Sequence, residues 1–444
     1  MIKGIIEGLE EGLGVLRIDG GIIHVPFAYP WDYILVGRTK RRFGRRIATD
    51  FKLLEPSPLR GTPKCEHFGI CGGCLWQGMK YREQLRLKAG LFERITGIEA
   101  EIKGSPKIWG FRNISNFIVT TSGIGLKEYG NPLRVVNLRE CPVFSRKTTE
   151  YLRALRAFLR ETGLRPWDLK NKEGDVHYLQ VREGKFTGEV MVNLVAHREP
   201  SEDTMEALKD YFRVESLYWS LKTDGRDDPR GEPRLVAGRH YIRERVEDVT
   251  YLIHPNSFFQ TNSYALALLL KAVEGFSDGE KVLDLYSGVG TFGVWLAKRG
   301  FSVEGVEFNP FAVEMARKNA ELNGVDAVFK VGRAEETPIG DYDTVIVDPP
   351  RKGLRGAGEL LVKSGVERVV YVSCNPKAFR LDYENHMGKA YRVEGAVLVD
   401  MFPHTPPCSL APSEGVGFET VRDKDNAHPL RFKCLCDGKR GFGL

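Results

Sequence analysis

The sequence predicts an α/β chain of several domains: a small N-terminal β-barrel, a central α+β domain and a C-terminal doubly wound parallel sheet. Three observations lead there. Short apolar runs punctuated by Gly and Pro fill residues 1–57. Strand-like and helix-like patterns mix over residues 58–250. From residue 251 apolar strands alternate with amphipathic helices, the rhythm of a parallel sheet covered on both faces. A chain of 444 residues suits about three domains. With 42% hydrophobic and 28% charged residues it can bury real cores, which excludes a disordered chain. The apolar run Ala265–Leu270 is far shorter than the ~18–20 residues of a membrane span. Glu7, Glu10 and Glu11 interrupt any signal-like segment at the N-terminus. The expectation is a cytoplasmic protein, monomeric and without a membrane partner.

In chain order, Gly14–Ile18, Gly21–Pro26, Tyr33–Gly37 and Arg46–Ala48 read as short barrel strands. Arg38, Lys40, Arg41, Arg42, Arg45 and Arg46 put six positive charges into nine residues with no acid among them. Such a run is either a solvated face or a surface for nucleic-acid phosphates. Glu55–Pro63 contains three prolines and reads as the linker that ends the barrel. A helix is expected over Lys80–Ile95, where Tyr81, Leu85, Lys88 and Phe92 fall at helical spacing. Strands at Asn116–Thr121, Tyr178–Val181 and Glu189–Val195, with helices at Thr148–Glu161 and Thr204–Phe212, fill the central domain. Strands then follow at 281–286, 301–307, 343–348 and 368–373, with helices through Arg299 and over Pro310–Leu322.

The loop Gly288-Val-Gly290-Thr-Phe-Gly293 fits a nucleotide-binding fingerprint between a strand and a helix, with Glu307 ending the next strand nineteen residues on. The glycines let a backbone approach the ligand, and the carboxylate accepts ribose hydroxyls. Asp284, just ahead of the loop, would repel a pyrophosphate, so S-adenosylmethionine is favoured over a dinucleotide. Asp348-Pro349-Pro-Arg351 ends a strand at the ligand-binding edge of the sheet, where two prolines form a rigid floor and an aspartate can bond the edge of a planar base. Cys374, in Ser373-Cys-Asn-Pro376, ends the neighbouring strand. Uracil C5 is a poor nucleophile. A thiolate that adds to C6 produces an enolate able to attack a sulfonium methyl through C5. Methylation of an exocyclic amine needs no cysteine, so Cys374 separates the two chemistries.

Eight cysteines in a chain this long point to metal or catalysis rather than to disulfides. Cys65-x5-Cys71-x2-Cys74, with Cys141 further on, supplies four thiolates. Four cysteines also suit structural zinc. Zinc sites more often pair two short hooks, whereas here three thiolates come from one loop, so a [4Fe–4S] cluster is favoured.

Together these motifs resemble the iron–sulfur-containing RNA uracil-5 methyltransferases, in their archaeal, tRNA (uracil-54)-specific branch. The matching pieces are Cys65-Glu-His-Phe-Gly-Ile-Cys-Gly-Gly-Cys74, Asn256-Ser-Phe-Phe-Gln-Thr-Asn262, Asp284-Leu-Tyr-Ser-Gly-Val-Gly290, Asp348-Pro-Pro-Arg351, Ser373-Cys-Asn-Pro376 and Asp400-Met-Phe-Pro-His404. The resemblance implies a TRAM-like barrel (1–57), a central iron–sulfur and RNA-recognition domain (58–250), a Rossmann-like methyltransferase domain (251–407) and an atypical tail (408–444). It also implies that residues 77–108 pack on the catalytic domain. Carried over by motif, Cys374 is the nucleophile and Cys65, Cys71, Cys74 and Cys141 hold the cluster. Gln260, Tyr286, Gly288, Gly290, Thr291, Glu307, Arg333 and Asp348 contact the cofactor or base. Phe258 and Pro349 stack on a uracil flipped out of the RNA. The implied product is 5-methyluridine in structured RNA, with tRNA position 54 favoured and 23S rRNA second.

The chain departs from the family's pattern at its end. Ser409 stands where the resemblance places the glutamate that removes the C5 proton, and the following residues read as lacking the apolar strand that closes the sheet. Glu414 and Glu419 are the nearest substitutes. Without a base, addition and methyl transfer proceed but elimination stalls, and the alternative reading is a turnover-impaired RNA-binding homologue.

Overall fold

The computed structural model describes residues 1–42 and 44–406, and the backbone of 415–422. Residues 2–55 form two small sheets wrapped around one core. Ile2–Ile5, Tyr33–Val36 and Phe51–Glu55 make the first; Gly8–Glu10, Leu13–Ile18, Gly21–Val25, Arg45–Ala48 and Thr39–Arg42 make the second. Ile6, Leu16, Ile23, Val25, Ile34 and Val36 fill the space between them. Beyond the last strand the chain is tied back to the barrel by fully buried Asp32, whose carboxylate accepts from Ser57 N and from both Nε and Nη2 of Arg60. The bidentate pair fixes the exit direction of a linker whose prolines alone fix only its stiffness.

The central domain is a seven-stranded sheet in the order Asn131–Asn137, Gly123–Glu128, Ile114–Thr120, Val176–Glu183, Val190–Ala196, Ser216–Leu221, Glu232–Gly238. Helices Thr148–Thr162 and Glu202–Tyr211 cover one face, where Leu152, Leu155 and Phe158 meet Val181, Val192 and Leu194.

The third sheet carries the chemistry. Its strand order is Ala327–Val331, Ser302–Glu307, Lys281–Leu285, Thr344–Val347, Arg368–Ser373, Gly415–Arg422, Tyr391–Val399, Glu101–Lys103. The first five are parallel. The order reverses between Lys281–Leu285 and Thr344–Val347, the switch point beside which such sheets bind ligands. Gly415–Arg422 runs antiparallel to both neighbours and closes the sheet. This corrects the sequence expectation that the tail lacks a closing strand. In Gly415-Val-Gly-Phe-Glu-Thr-Val-Arg422 two glycines and two charges break up the apolar residues. The long Arg368 and Tyr391 strands nevertheless leave a slot whose two edges both need partners.

Helix Tyr81–Thr96 and strand Glu101–Lys103 belong in space to this third unit. The strand pairs with Val397–Val399. The helix presents Lys88, 1% exposed, whose ammonium donates to Asp400 Oδ1 at 2.8 Å and to Phe402 O, while Tyr81 OH donates to Asp400 Oδ2 at 2.7 Å. Gln84 and His404 bond to one another twice, through side chain and backbone. Asp400 and His404 thus act as a clasp for the inserted helix. No helix among the described residues is long and apolar enough to cross a membrane.

Candidate active site and cysteine cavity

Four loops meet at the carboxyl edge of the parallel strands. The first follows Lys281–Leu285. Tyr286 leaves the strand at φ 64° and bonds Leu354 O at 3.3 Å. A non-glycine residue held left-handed costs about 1–3 kcal/mol, and such strain concentrates at functional sites. At Gly290 (φ 78°) an added Cβ would lie 3.0 Å from the Phe329 ring and 3.1 Å from Ala316. The glycine therefore permits both the turn and the tight seating of the helix that begins at Thr291.

Glu307 closes this loop. Its Oε2 accepts from Gly288 N at 3.2 Å and its Oε1 from Asn309 N at 2.9 Å. The glycine loop is thereby locked to a carboxylate at the tip of the adjacent strand, the relation a ribose diol requires. Behind the loop, Asp284 is fully buried. Its Oδ2 accepts from Gly293 N at 3.0 Å, and its Oδ1 is buried without a hydrogen-bond partner. Burial pushes its carboxyl up to about 8, helped by the negative charges of Asp348 and Glu307. An orphaned carboxylate oxygen beside the glycine loop is the group a cationic ligand would satisfy.

The Asp348 and Cys374 loops are stitched together, since Asn375 Nδ2 donates to Arg351 O at 3.1 Å. Burial raises half-buried Asp348 to about 7. Pro349 is buried. Half-buried Cys374 directly precedes Asn375, which caps the ten-residue helix Pro376–Asn385 through its side chain on Lys377 N. The nucleophile candidate thus stands at the positive end of a helix, where negative charge is favoured.

The fourth segment, 256–262, comes from outside the sheet. Phe258 is 69% exposed, while its neighbour Phe259 is buried against Tyr251. Gln260 is held by its backbone, whose carbonyl accepts from Asn113 Nδ2 at 2.7 Å, and Asn113 N donates to Thr261 O. Asn113 escaped the sequence reading because it sits in no motif. Arg333, expected to contact the cofactor, is mostly exposed and lies nearest Glu336 (3.4 Å) and Glu335 (3.9 Å). Glu419 lies within Gly415–Arg422, its backbone opposite Val370 and Gly395; Glu414 and Ser409 fall outside the described residues.

Cys65, Cys71, Cys74 and Cys141 line one cavity, together with His67, Gln77 and Arg112. Among the described residues no three or more His, Cys, Asp or Glu side chains are grouped to hold a metal ion. Burial raises all four thiols, Cys65 and Cys141 to about 11. Bare, they stay protonated, so only a bound metal centre would make them thiolates. Arg112 projects its charge onto Cys71, Cys74 and Cys141, and its Nε is buried without a partner.

The basic cluster also changes character in three dimensions. Arg38 pairs with Asp50 at 3.1 Å, and Arg45 pairs with Glu11 and Glu10. Acids absent from the run in sequence are brought in by the turn at Glu10–Glu11 and the loop at Asp50. Among the described residues no ion pair engages Lys40, Arg41 or Arg42.

A parallel sheet with this strand order, a glycine loop locked to a carboxylate, and a cysteine loop bonded to the neighbouring Asp-Pro-Pro-Arg loop define an S-adenosylmethionine-dependent methyltransferase of the Rossmann-like class. Comparisons narrow this. Residues 2–59 match the family model "tRNA (uracil(54)-C(5))-methyltransferase, TRAM domain", 254–368 the methyltransferase small domain and 332–410 the "tRNA (Uracil-5-)-methyltransferase" family. The 23S rRNA (uracil(747)-C(5))-methyltransferase of Pyrococcus abyssi is 60% identical over 91% of this chain and 97% of its own length. The tRNA (uracil(54)-C(5))-methyltransferase of the same organism is 45% identical over 92% and 99%. The crystal structure of Pyrococcus abyssi tRNA (uracil-54, C5)-methyltransferase in complex with S-adenosyl-L-homocysteine superposes with a TM-score of 0.85 at 42% identity, covering 94% of this chain and 99% of that one. The chain belongs to the RNA uracil-C5 methyltransferases.

Proposed function

We propose that the protein makes 5-methyluridine in 23S rRNA, at the uridine equivalent to position 747. The observation that carries this is the gradient of identity: 60–62% to three Pyrococcus enzymes named for that rRNA site, against 44–45% to three named for tRNA uracil-54. The sequence alone orders the two targets the other way. The tRNA reading remains the second one, because the TRAM family model over residues 2–59 is that of the tRNA enzyme.

Cys374 adds through Sγ to C6 of the extruded uracil, and the electron pair passed to C5 attacks the sulfonium methyl. Loss of the C5 proton to a base then expels the thiolate and restores the ring. Asp348 bonds the polar edge of the base, with Pro349 and Phe258 as stacking faces. Gln260, Tyr286, Gly288, Gly290, Thr291 and Glu307 hold the methyl donor, and Arg333 reaches it by turning from its surface acids. Cys65, Cys71, Cys74 and Cys141 would hold a [4Fe–4S] cluster. They line a common cavity, and the unpartnered Arg112 Nε suits an anionic cluster. The cluster would serve as a structural tie, since methyl transfer moves no electrons.

Incubation with labelled S-adenosylmethionine and separate 23S rRNA and tRNA transcripts tests the assignment. The label is expected at one uridine of the rRNA and absent from the Cys374→Ala variant. Labelling of tRNA alone would move the assignment to position 54, and full activity of Cys374→Ala would reject the covalent route.

A further inference from the structure

A cavity of about 760 Å³ opens between the barrel and the central domain, apart from the glycine loop and the cysteine cavity. The barrel contributes Lys40, Arg42 and Phe51, the cysteine loop contributes Gly69 and Ile70, and the turn after strand Gly123–Glu128 contributes Tyr129. The last two pieces are fastened together: Tyr129 N donates to Ile70 O at 2.8 Å, and Gly72 N to Lys127 O at 3.0 Å.

Its charge is lopsided. Each acid in the wall already has a cation: Glu11 has Arg45, Asp50 has Arg38 and Glu128 has Arg134. Lys40 and Arg42 are left without an ion pair among the described residues. Beside Arg42, whose Nη1 would lie 3.4 Å from a Cβ on Gly130, is an aromatic and apolar face. The half-buried Tyr129 ring is braced edge-on by Phe27 at 5.4 Å, and Ile70 is 53% exposed. Uncompensated cations beside a braced aromatic face match a nucleotide, with phosphate on one side and a planar base on the other. The cavity wall is also tied to the helix that follows Cys374. Glu11, in its wall, reaches Lys377 at 3.6 Å, and Lys377 lies three residues past Cys374.

We propose that this cavity takes one unpaired nucleotide of the substrate RNA, a few positions from the methylated uridine, with its base on Tyr129 and its phosphate on Lys40 and Arg42. The inference rests on the reading of RNA as substrate and adds a second base-holding site. Such a site lets the enzyme require a particular single-stranded geometry around its target, beyond the one flipped uracil.

The test is an abasic scan. Starting from the shortest RNA that the wild-type protein methylates, each base flanking the target is removed in turn, and binding is measured for wild type, Tyr129→Ala and Tyr129→Phe. At one position, loss of the base is expected to weaken wild-type binding about tenfold, the worth of one stacked base. The same loss should cost Tyr129→Ala almost nothing further, while Tyr129→Phe, which keeps the ring, behaves as wild type. A photo-cross-link from 5-iodouracil at that position to Tyr129, made with the wild-type protein, keeps the test open should Tyr129→Ala misfold. Methylation by the wild type with no coupled position and no cross-link overturns the cavity assignment while leaving the enzyme assignment intact. Absence of any RNA binding or methylation overturns both.

Discussion

Asp284 shows how one atom can set a binding equilibrium. Its carboxyl is raised to about 8 by burial and by Asp348 and Glu307, so at neutral pH the empty site holds it mostly protonated. A cationic ligand prefers the ionised form, so binding displaces the proton. The sign follows: cofactor affinity rises with pH up to about 8 and then levels, by at most about tenfold per pH unit for one displaced proton. Calorimetry across pH 6–9 should show that rise, and Asp284→Asn should flatten it; a rise that persists in the variant would assign it to Asp348. Residue-level charge also sorts the basic cluster. The Lys40→Gln/Arg42→Gln pair should lower the slope of log affinity against log salt by about 1.4, near 0.7 for each lost single-strand phosphate contact. Arg45→Gln should leave it nearly unchanged, because Arg45 is already neutralised by Glu11. Equal slopes in all three proteins would make the cluster an ordinary solvated face. Chemistry of this kind was legible in the sequence only in part. Cys374, Asp348 and Glu307 announce themselves because each ends a recognisable strand. The partners of Arg38 and Arg45 do not, because the closing of the barrel, not a sequence motif, brings the loop residues Asp50 and Glu11 to them.

At the level of elements, the cysteine loop links sites that the sequence presents separately. Arg112 lines its cavity, and the next residue, Asn113, pins Gln260 and Thr261. On the other side Gly72 and Ile70 are bonded to the strand and turn that carry Lys127 and Tyr129. A cluster at this point would therefore brace both segment 256–262 and the proposed nucleotide cavity. Anaerobically purified protein should be brown and contain iron, and Cys71→Ala should lose both colour and iron. The same variant should bind RNA and cofactor more weakly, by roughly 1–2 kcal/mol each, the scale of a mutation that disturbs coupling between sites. Stoichiometric zinc without iron would replace the cluster with a structural ion. The two helices of the central domain and the alternation of the catalytic sheet were readable from periodicity, since each buries one regular face. The closing strand 415–422 was not. Its glycines and charges conceal a β pattern that only the open edges of its neighbours impose.

Across the whole molecule, barrel, cysteine loop and catalytic domain converge on one point. Trp76 Nε1 donates to Gly12 O, Trp76 N donates to His404 O, and a Cβ on Gly12 would collide with Pro406. Strand Gly415–Arg422 lies further along the chain, and its level in the sheet bears on catalysis. Val416 pairs with Ser373 at the edge that carries Cys374, whereas Glu419 pairs with Val370, three residues down an antiparallel ladder. At about 3.3 Å per residue this sets the Glu419 backbone on the order of 10 Å below the catalytic edge. Glu414 is the chain neighbour of Gly415, which pairs with Val399 at the upper end of the sheet. Of the two candidate bases, register therefore disfavours Glu419. With RNA and S-adenosylmethionine, Glu419→Gln should turn over many times and leave no trapped complex. Glu414→Gln should complete addition and methyl transfer, fail to lose the C5 proton, and accumulate a methylated covalent adduct visible as a shifted band on a denaturing gel. That band requires Cys374, so Glu414→Gln/Cys374→Ala should not form it. A trapped adduct in Glu419→Gln with free turnover in Glu414→Gln would reverse the assignment. Adduct in the wild type would show that neither carboxylate serves, and that this chain stalls after methyl transfer.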